Sequence, residues 1–390
     1  MPETSTRPAP SRRGLILVGI ATFAFWVSLY LYSPVLPLRA RELGASATMI
    51  GAVVAAYAIG QVTLRIPIGI GSDIVGRKPF AIAAIALCAA GAVWLGLAPD
   101  PWSLFAARTL TGIGAAGWVA ISVLYSSHFD PERPGRAMSY VMTINTTAIM
   151  LATLVGGVVA EHLGTRSVFF GAAGVGFAGV IFLLPAREPT AHRSGQPYSI
   201  KVFFRLLRSP LLLQVSAIAI ALQFVTFGVN FGFLPVYAED LGASKGVVGY
   251  IQTAGLVAAI AGTALSPLLA RRFGSSTAVL VASAATLASL VAMPFTHGLT
   301  LLGTEQALNG FGRGLLNTVL ISLALQSAPP HERATAMGTY QALYAIGMLT
   351  GPAVSGAVAD GAGIQWVFGV SAIVTVLGAG LVFVRKLRQV

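Results

Sequence analysis

The side chains able to do chemistry in this chain lie where charge is least expected. Arg65, Arg108, Glu305 and Arg313 all fall within long apolar stretches. A charged group at the centre of a bilayer costs on the order of 2–3 kcal/mol or more unless it faces protein or a watery cavity. Tyr57, Gln61 and Arg65 are spaced four apart, as are Glu305, Asn309, Arg313 and Asn317. Residues four apart share a helix face, so each set forms a polar ridge on an otherwise apolar helix. Two such ridges predict a wet central cavity; hydrogen bonding to neighbouring helices within one bundle is the alternative use of these groups. Glu305 is the one acid well inside an apolar stretch and is the candidate for binding and releasing a proton. It lies six or seven residues into its helix, so complementing that helix's positive amino-terminal dipole is a second option. Arg65 precedes Asp73 by eight residues, and pairing with an acid or a helix end is open to it as well.

These residues need long apolar helices to position them, and the composition supplies them. The 390 residues are 55% hydrophobic and 10% charged, with a mean hydropathy of +0.79. A water-soluble chain cannot cover that much apolar surface with so little charge, so the bilayer is the expected solvent. Segments of about 20 residues suited to spanning it are predicted over 14–36, 48–71, 79–98, 102–125, 136–160, 165–185, 210–235, 245–269, 276–295, 299–326, 335–358 and 365–384. The apolar run from Gly14 is too long for a signal-peptide core and lacks a cleavage pattern, so it reads as a retained first helix behind a tail of residues 1–13.

The net charge of +12 could point to nucleic acid, but the basic residues sit in alternate loops instead. With the amino terminus inside, 18 Lys and Arg fall in cytoplasmic segments, four (Arg39, Arg41, Arg166 and Lys245) in outer ones and three within helices. The positive-inside rule therefore predicts both termini in the cytoplasm. The polar stretch 186–209 divides the chain into bundles over 14–185 and 210–384, followed by a tail over 385–390, and Ile200 to Leu207 has the pattern of a short interfacial helix. Internal repetition supports the division. Leu36-Pro37 and Glu42-Leu43-Gly44-Ala45-Ser46 recur 198 residues later as Leu234-Pro235 and Asp240-Leu241-Gly242-Ala243-Ser244, and Thr111-Gly112-Ile113-Gly114 recurs as Asn309-Gly310-Phe311-Gly312.

At the end of the second apolar segment the chain reads Gly60-x8-Gly69-x3-Asp73-x2-Gly76-Arg77-Lys78. This spacing resembles the loop signature of the major facilitator superfamily of secondary transporters, and the two repeated halves are similar to that fold. The resemblance implies an all-α membrane protein of twelve transmembrane helices in two six-helix bundles, moving a small organic solute by alternating access. It implies a gating role for Gly60, Gly69, Asp73, Gly76, Arg77 and Lys78, with Asp73 docking on the eleventh helix when the inner side closes. At the repeat offset Asp73 maps onto Arg271 and Gly69 onto Pro267, so the second half lacks the motif.

Arg108-Thr109-Leu110-Thr111-Gly112 resembles the superfamily's fourth-helix motif, R-x-x-Q-G, which is associated with proton coupling, although Thr111 stands where glutamine is usual. Arg108 therefore joins Glu305 as a coupling candidate, while binding backbone carbonyls is its alternative. The drug/proton antiporter run G-P-x-x-G-G of the fifth helix survives here only as Gly156-Gly157, and Gly351-Pro352 occurs in the eleventh helix instead. Export is thus the favoured direction, with uptake of an organic anion or metabolite second and a non-transporting membrane sensor third. Asn230 and Tyr344 are added to the candidate cavity because the resemblance places their helices around it. Asn145, Thr146, Thr147, Gln223, Gln252, Gln341, Trp26, Tyr30, Trp118 and Phe231 are weaker candidates. Three intramembrane arginines against one glutamate suit an anionic or zwitterionic solute. No P-loop, metal-ligand spacing or nucleophile–base pair is visible, so enzyme function, ATP-driven transport, a metal and a cofactor are not expected. A monomer in a bacterial inner membrane is.

Overall fold

A computed structural model describes residues 12–129, 134–189, 205–329 and 332–384. Residues 1–11 of the predicted amino-terminal tail, the whole predicted tail 385–390 and most of the 186–209 linker, including the start of the predicted interfacial helix, lie outside the described residues. Among the described residues twelve helices are long and apolar enough to cross a membrane: α1 Arg12–Tyr30, α2 Ala47–Val75, α3 Arg77–Leu97, α4 Pro101–Ser126, α5 Ala137–Leu163, α6 Thr165–Leu183, α7 Pro210–Asp240, α8 Lys245–Phe273, α9 Ser275–Phe295, α10 Leu299–Gln326, α11 Thr335–Ala362 and α12 Ile364–Val384. The chain is thus a multi-pass integral membrane protein in which α1–α6 and α7–α12 form the two bundles. The predicted span 14–36 differs: α1 stops at Tyr30, and after a turn the separate short helix Leu36–Glu42 begins with Pro37 in its first turn. Proline supplies no N–H, which suits a helix start.

The helix starts repeat as the sequence does. Ser46 Oγ accepts from the Met49 N–H at the start of α2, and Ser244 Oγ accepts from the Val247 N–H at the start of α8, 198 residues on. Among the described residues six have positive φ, all of them glycines, and they pair at 198 or 199: Gly44 with Gly242, Gly76 with Gly274, and Gly164 with Gly363. Gly76, Gly164, Gly274 and Gly363 each form a one-residue joint between consecutive helices, a conformation that a side chain would strain.

The repeated Gly-x-Gly packs both ways from its helix. A side chain at Gly112 would strike the Tyr57 carbonyl of α2, and one at Gly114 would strike α3 at Ala84 and Cys88. In the second half Gly310 lies on the Gly255 carbonyl of α8, and Gly312 lies on α9 at Ala282 and Thr286. Small residues let neighbouring backbones approach where lipid offers no hydrophobic drive to association. Trp94, Trp102, Phe295 and Trp366 are exposed at helix ends on one side of the molecule, as expected for an interfacial aromatic belt. That side carries Arg41 and is called here the Arg41 end; the opposite side is the Asp73 end.

Helix α7 departs from simple repetition. It is α-helical over Pro210–Val225, turns π-helical over Thr226–Phe233, and resumes as Leu234–Asp240. The wider turn brings Phe227 and Phe231 to the middle of the molecule with ring centroids 5.5 Å apart. Such π segments are rare and are frequent at functional sites.

Candidate functional site

A cavity of about 650 Å³ lies between the two bundles. Tyr57, Gln61 and Arg65 of α2 line one wall, and Arg313 and Asn317 of α10 line the facing one. Tyr344 of α11 lines it too, together with Asn145, Thr146 and Thr147 of α5, Gln223 of α7, and the aromatic residues Trp26, Tyr30 and Phe231. Met142, Thr143, Thr226, Phe227, Thr263 and Met348 also contribute, and the sequence reading did not select them. Their signal was weak, because threonine and methionine are ordinary residues of apolar helices.

Asn309 and Asn230 lie behind the wall rather than on it. Asn230 Nδ2 donates to Asn309 Oδ1 at 3.2 Å, and Asn309 Nδ2 donates to Ser289 Oγ at 3.1 Å. Gln252 Nε2 donates to the Asn230 carbonyl at 2.8 Å, so these amides tie α7, α8, α9 and α10 together. Glu305 lies one helical turn towards the Arg41 end from Asn309, where its Oε2 accepts from Thr296 Oγ1 at 2.6 Å.

Arg108 is buried behind Tyr57. Its guanidinium carbon lies 4.5 Å from the Tyr57 ring centroid and 5.4 Å from that of Tyr32, a cation–π arrangement. Its Nη1 donates to Tyr32 Oη at 3.0 Å and to Thr111 Oγ1 at 3.4 Å. Threonine at the position usually held by glutamine thus retains a hydrogen bond to the arginine. Trp118 stands behind the cavity wall, with its ring 4.9 Å from that of Trp26.

Above the cavity the halves meet in aromatic pairs: Tyr57 stacks on Phe227 with centroids 6.0 Å apart, and Tyr30 meets Phe231 edge-on at 5.6 Å. Beyond them, at the Arg41 end, charged groups cross between the halves. Arg41 pairs with Asp240 at 2.6 Å and with Glu239, its own repeat equivalent, at 3.3 Å. Lys245 Nζ donates to Glu42 at 2.5 Å and to Thr165 Oγ1 at 2.7 Å. Asp360, at the end of α11, accepts from the Ala47 and Thr48 N–H groups that open α2, at 2.9 and 2.8 Å. Glu161, at the end of α5 and 199 residues earlier, accepts from the Gly246 N–H that opens α8, at 3.0 Å. A carboxylate at a helix start fills an unsatisfied donor and meets the positive end of the dipole. The sequence reading passed over these residues because each lies in a loop or at a helix end, where charge needs no explanation.

The Asp73 end is arranged differently. Asp73, in the last turn of α2, pairs across the Gly76 joint with Arg77, the first residue of α3, at 3.2 Å. Glu188 accepts from the backbone N–H groups of Arg77 and Lys78, at 2.9 and 3.0 Å, which fastens the start of α3 to the segment after α6. Gly76 permits this approach, since a side chain there would lie 3.2 Å from a Glu188 oxygen on a backbone of φ +125°. Lys78 Nζ donates to the Leu184 carbonyl at 2.7 Å. Gly60 lies on the backbone of Ile113 and Gly112 of α4, while Gly69 has only the Val119 side chain nearby.

One of the crossing pairs sets a pH dependence. Partial burial works to raise the pKa of Glu42, but hydrogen bonding and charge from Lys245, with help from Arg39 and Thr165, hold it below the usual carboxylate value. A carboxylate with a depressed pKa contributes its full stability above its unfolded value of about 4.3 and loses that contribution as pH falls through its folded value. The Glu42–Lys245 bond is therefore expected to hold at neutral pH and to fail in acid. The melting temperature of the detergent-solubilised protein should fall more steeply with acidification below about pH 4.3 than that of a Glu42→Gln variant. Equal slopes would remove Glu42 from the acid response.

The family model described as Major Facilitator Superfamily matches residues 18–237 and again 216–389, once for each repeated half. The chain is 25% identical to the multidrug resistance protein MdtG of Enterobacter lignolyticus, over 96% of this chain and 93% of that protein. It is 21% identical to an uncharacterised MFS-type transporter, MJ1560, of Methanocaldococcus jannaschii, over 96% and 98%. Among solved structures, a bacterial homologue of the human lysosomal transporter Spinster, in an inward-facing and unoccupied conformation, superimposes with a TM-score of 0.79 at 16% identity, covering 97% of this chain and 98% of that one. The nucleoside transporter NupG, solved as a point mutant, gives 0.77 at 17% identity, covering 95% and 98%. Twelve spans in two repeated bundles around a shared cavity, matched by that model along almost the whole chain, place this protein in the Major Facilitator Superfamily of membrane transporters, not among enzymes.

Proposed function

We propose that this protein exports a small organic solute by alternating access, in exchange for protons, and that the conformation described is open to the cytoplasm. The observation that carries the reading is the contrast between the two ends. The Arg41 end is closed by aromatic pairs and four charged ties, while the cavity lining runs towards the Asp73 end along Met142, Thr143, Thr263 and Asn317, and the Asp73–Arg77 pair there stays within the first half. The distribution of basic residues supports a cytoplasmic Asp73 end. Multidrug resistance proteins among the relatives support export. A cavity of this volume with polar lining supports a carrier over a membrane sensor whose bundle core is packed and dry.

Glu305 is the proposed proton carrier. It is buried, belongs to the half that carries Arg313, and has a single hydroxyl partner in Thr296. Asp73 is proposed to release Arg77 and dock at the start of α11 once the cytoplasmic side closes. Flux measured in inverted vesicles with an imposed proton gradient tests the reading. Glu305→Gln should abolish the gradient-driven component, and Asp73→Asn should slow transport without reducing the amount of protein in the membrane. Gradient-independent flux in the wild type would overturn proton exchange, and accumulation by right-side-out vesicles under an inward proton gradient would make the protein an importer.

A further inference from the structure

The charge of the cavity is one-sided. Arg65 from the first half and Arg313 from the second both line it, and among the described residues no carboxylate lines it. The six ion pairs of the described residues involve neither of these arginines, nor Arg108, whose guanidinium lies directly behind the Tyr57 ring. The intramembrane arginines therefore bring positive charge to the middle of the protein with no acid beside it. Buried charges are ordinarily paired, because an uncompensated one is strongly destabilising.

Three buried polar atoms of the lining have no hydrogen-bond partner among the described residues: the acceptor Gln61 Oε1 and two N–H donors, Arg65 Nε and Trp26 Nε1, on side chains that are 9% and 8% exposed. The two donors lie on the side of the excess charge. A guanidinium and an indole N–H can only donate, so the complementary ligand group is an acceptor with negative charge. Beside these donors stands a continuous aromatic wall. Trp26 lies 5.8 Å from Tyr30, Tyr30 lies 5.6 Å from Phe231, and Phe231 lies 5.5 Å from Phe227. A volume of about 650 Å³ is ample for one drug-sized molecule.

We infer that the transported solute is an amphiphilic organic anion: a carboxylate or sulfonate whose acid group is held by Arg65 and Arg313 from opposite halves, and whose aromatic or alkyl body lies on the Trp26–Tyr30–Phe231 wall. This rests on the reading of the cavity as the transport site, and it assigns the class of solute. The anion serves as the missing counter-ion of the cavity. Because each half supplies one arginine, only a bound anion connects the two charges, and it does so without requiring a carboxylate from the protein.

Binding to the purified, detergent-solubilised protein, read by quenching of tryptophan fluorescence, tests the assignment apart from transport. The probes are 2-naphthalenesulfonate, 2-naphthoate and decanoate, against neutral 2-naphthol, a naphthyl trimethylammonium cation and the zwitterion naphthylalanine. At least one of the three anions is expected to bind at least tenfold more tightly than the neutral and cationic probes. Arg65→Gln and Arg313→Gln should each erase that preference, whereas Arg313→Lys, which keeps the charge, should retain part of it and so guard against a merely misfolded variant. Equal or tighter binding of the cation, or no preference for any anion over 2-naphthol, overturns the inference and leaves the export reading standing. Tighter binding of the zwitterion than of 2-naphthoate overturns it in favour of an amino-acid-like solute. An anion that binds with this preference but is not carried under a proton gradient leaves an anion site in the cavity and overturns its assignment as the transported solute.

Discussion

Replacing Glu161 and Asp360 together by alanine is expected to open the Arg41 end. Each carboxylate terminates a helix of one half and accepts the N–H groups that begin a helix of the other, Asp360 on α2 and Glu161 on α8. Losing either leaves helix-start donors unfilled and removes a negative charge from the positive end of a dipole. Water can satisfy those donors at the surface, so the fold should survive while the preference for this closed arrangement falls. The measurement is reaction of an impermeant maleimide with a Val53→Cys thiol in a Cys88→Ser background. Val53 is fully buried on α2, between the Arg41 end and the cavity. Modification should be several-fold faster in the double variant than in its parent and intermediate in each single one. Unchanged reactivity in all three would show that the aromatic pairs and the Arg41 and Lys245 bonds hold this end unaided.

Gly310→Leu is expected to prevent assembly of the second bundle. Even a methyl group at Gly310 would lie 1.9 Å from the Gly255 carbonyl oxygen, and the opposing atoms are backbone atoms of α8 that no rotamer change can move aside. Overpacking a core commonly costs about 1–3 kcal/mol when side chains can adjust; here two helices must separate, so about 3 kcal/mol or more is expected even for Gly310→Ala. Fluorescence-detected size exclusion should show aggregated or absent protein for Gly310→Leu and a lowered melting temperature for Gly310→Ala. Gly174→Ala, at a position with no atom within 4 Å of the added methyl, should leave both measurements unchanged. A normally folded Gly310→Leu protein would show that the α8–α10 crossing is looser than described.

The ease of reading the fold and the difficulty of reading the site have one physical cause. Hydrophobic length is a property of the chain itself, so the tenth span, 299–326, coincides with α10, and the repeat at 198 marks equivalent helix caps and glycine joints. Helical phase is likewise local, which is why spacing alone groups Tyr57, Gln61 and Arg65 on one face of α2 and Arg313 and Asn317 on one face of α10. Phase cannot say which neighbour a face meets. Asn309 shares the ridge of Arg313 yet is taken up by Asn230 and Ser289, and Glu305 on the same ridge is taken up by Thr296. The π turn of α7 was invisible for a related reason. Its residues, Thr226 to Phe233, are as apolar as the turns around them, and an added backbone residue leaves no mark on composition. The ties at the Arg41 end were hidden because each is completed by a residue about 80, 200 or 300 positions away.

The absence of acid from the cavity lining, among the described residues, has an electrical consequence. In a cell whose interior is negative, an organic anion leaving through a cavity of this kind runs down the membrane potential, and a proton entering in exchange does the same. A one-for-one exchange then moves two elementary charges per turnover, each worth about 2.3 kcal/mol for every 100 mV. The voltage across the membrane would drive such a carrier even where the two sides have equal pH, and its turnover would register as a current.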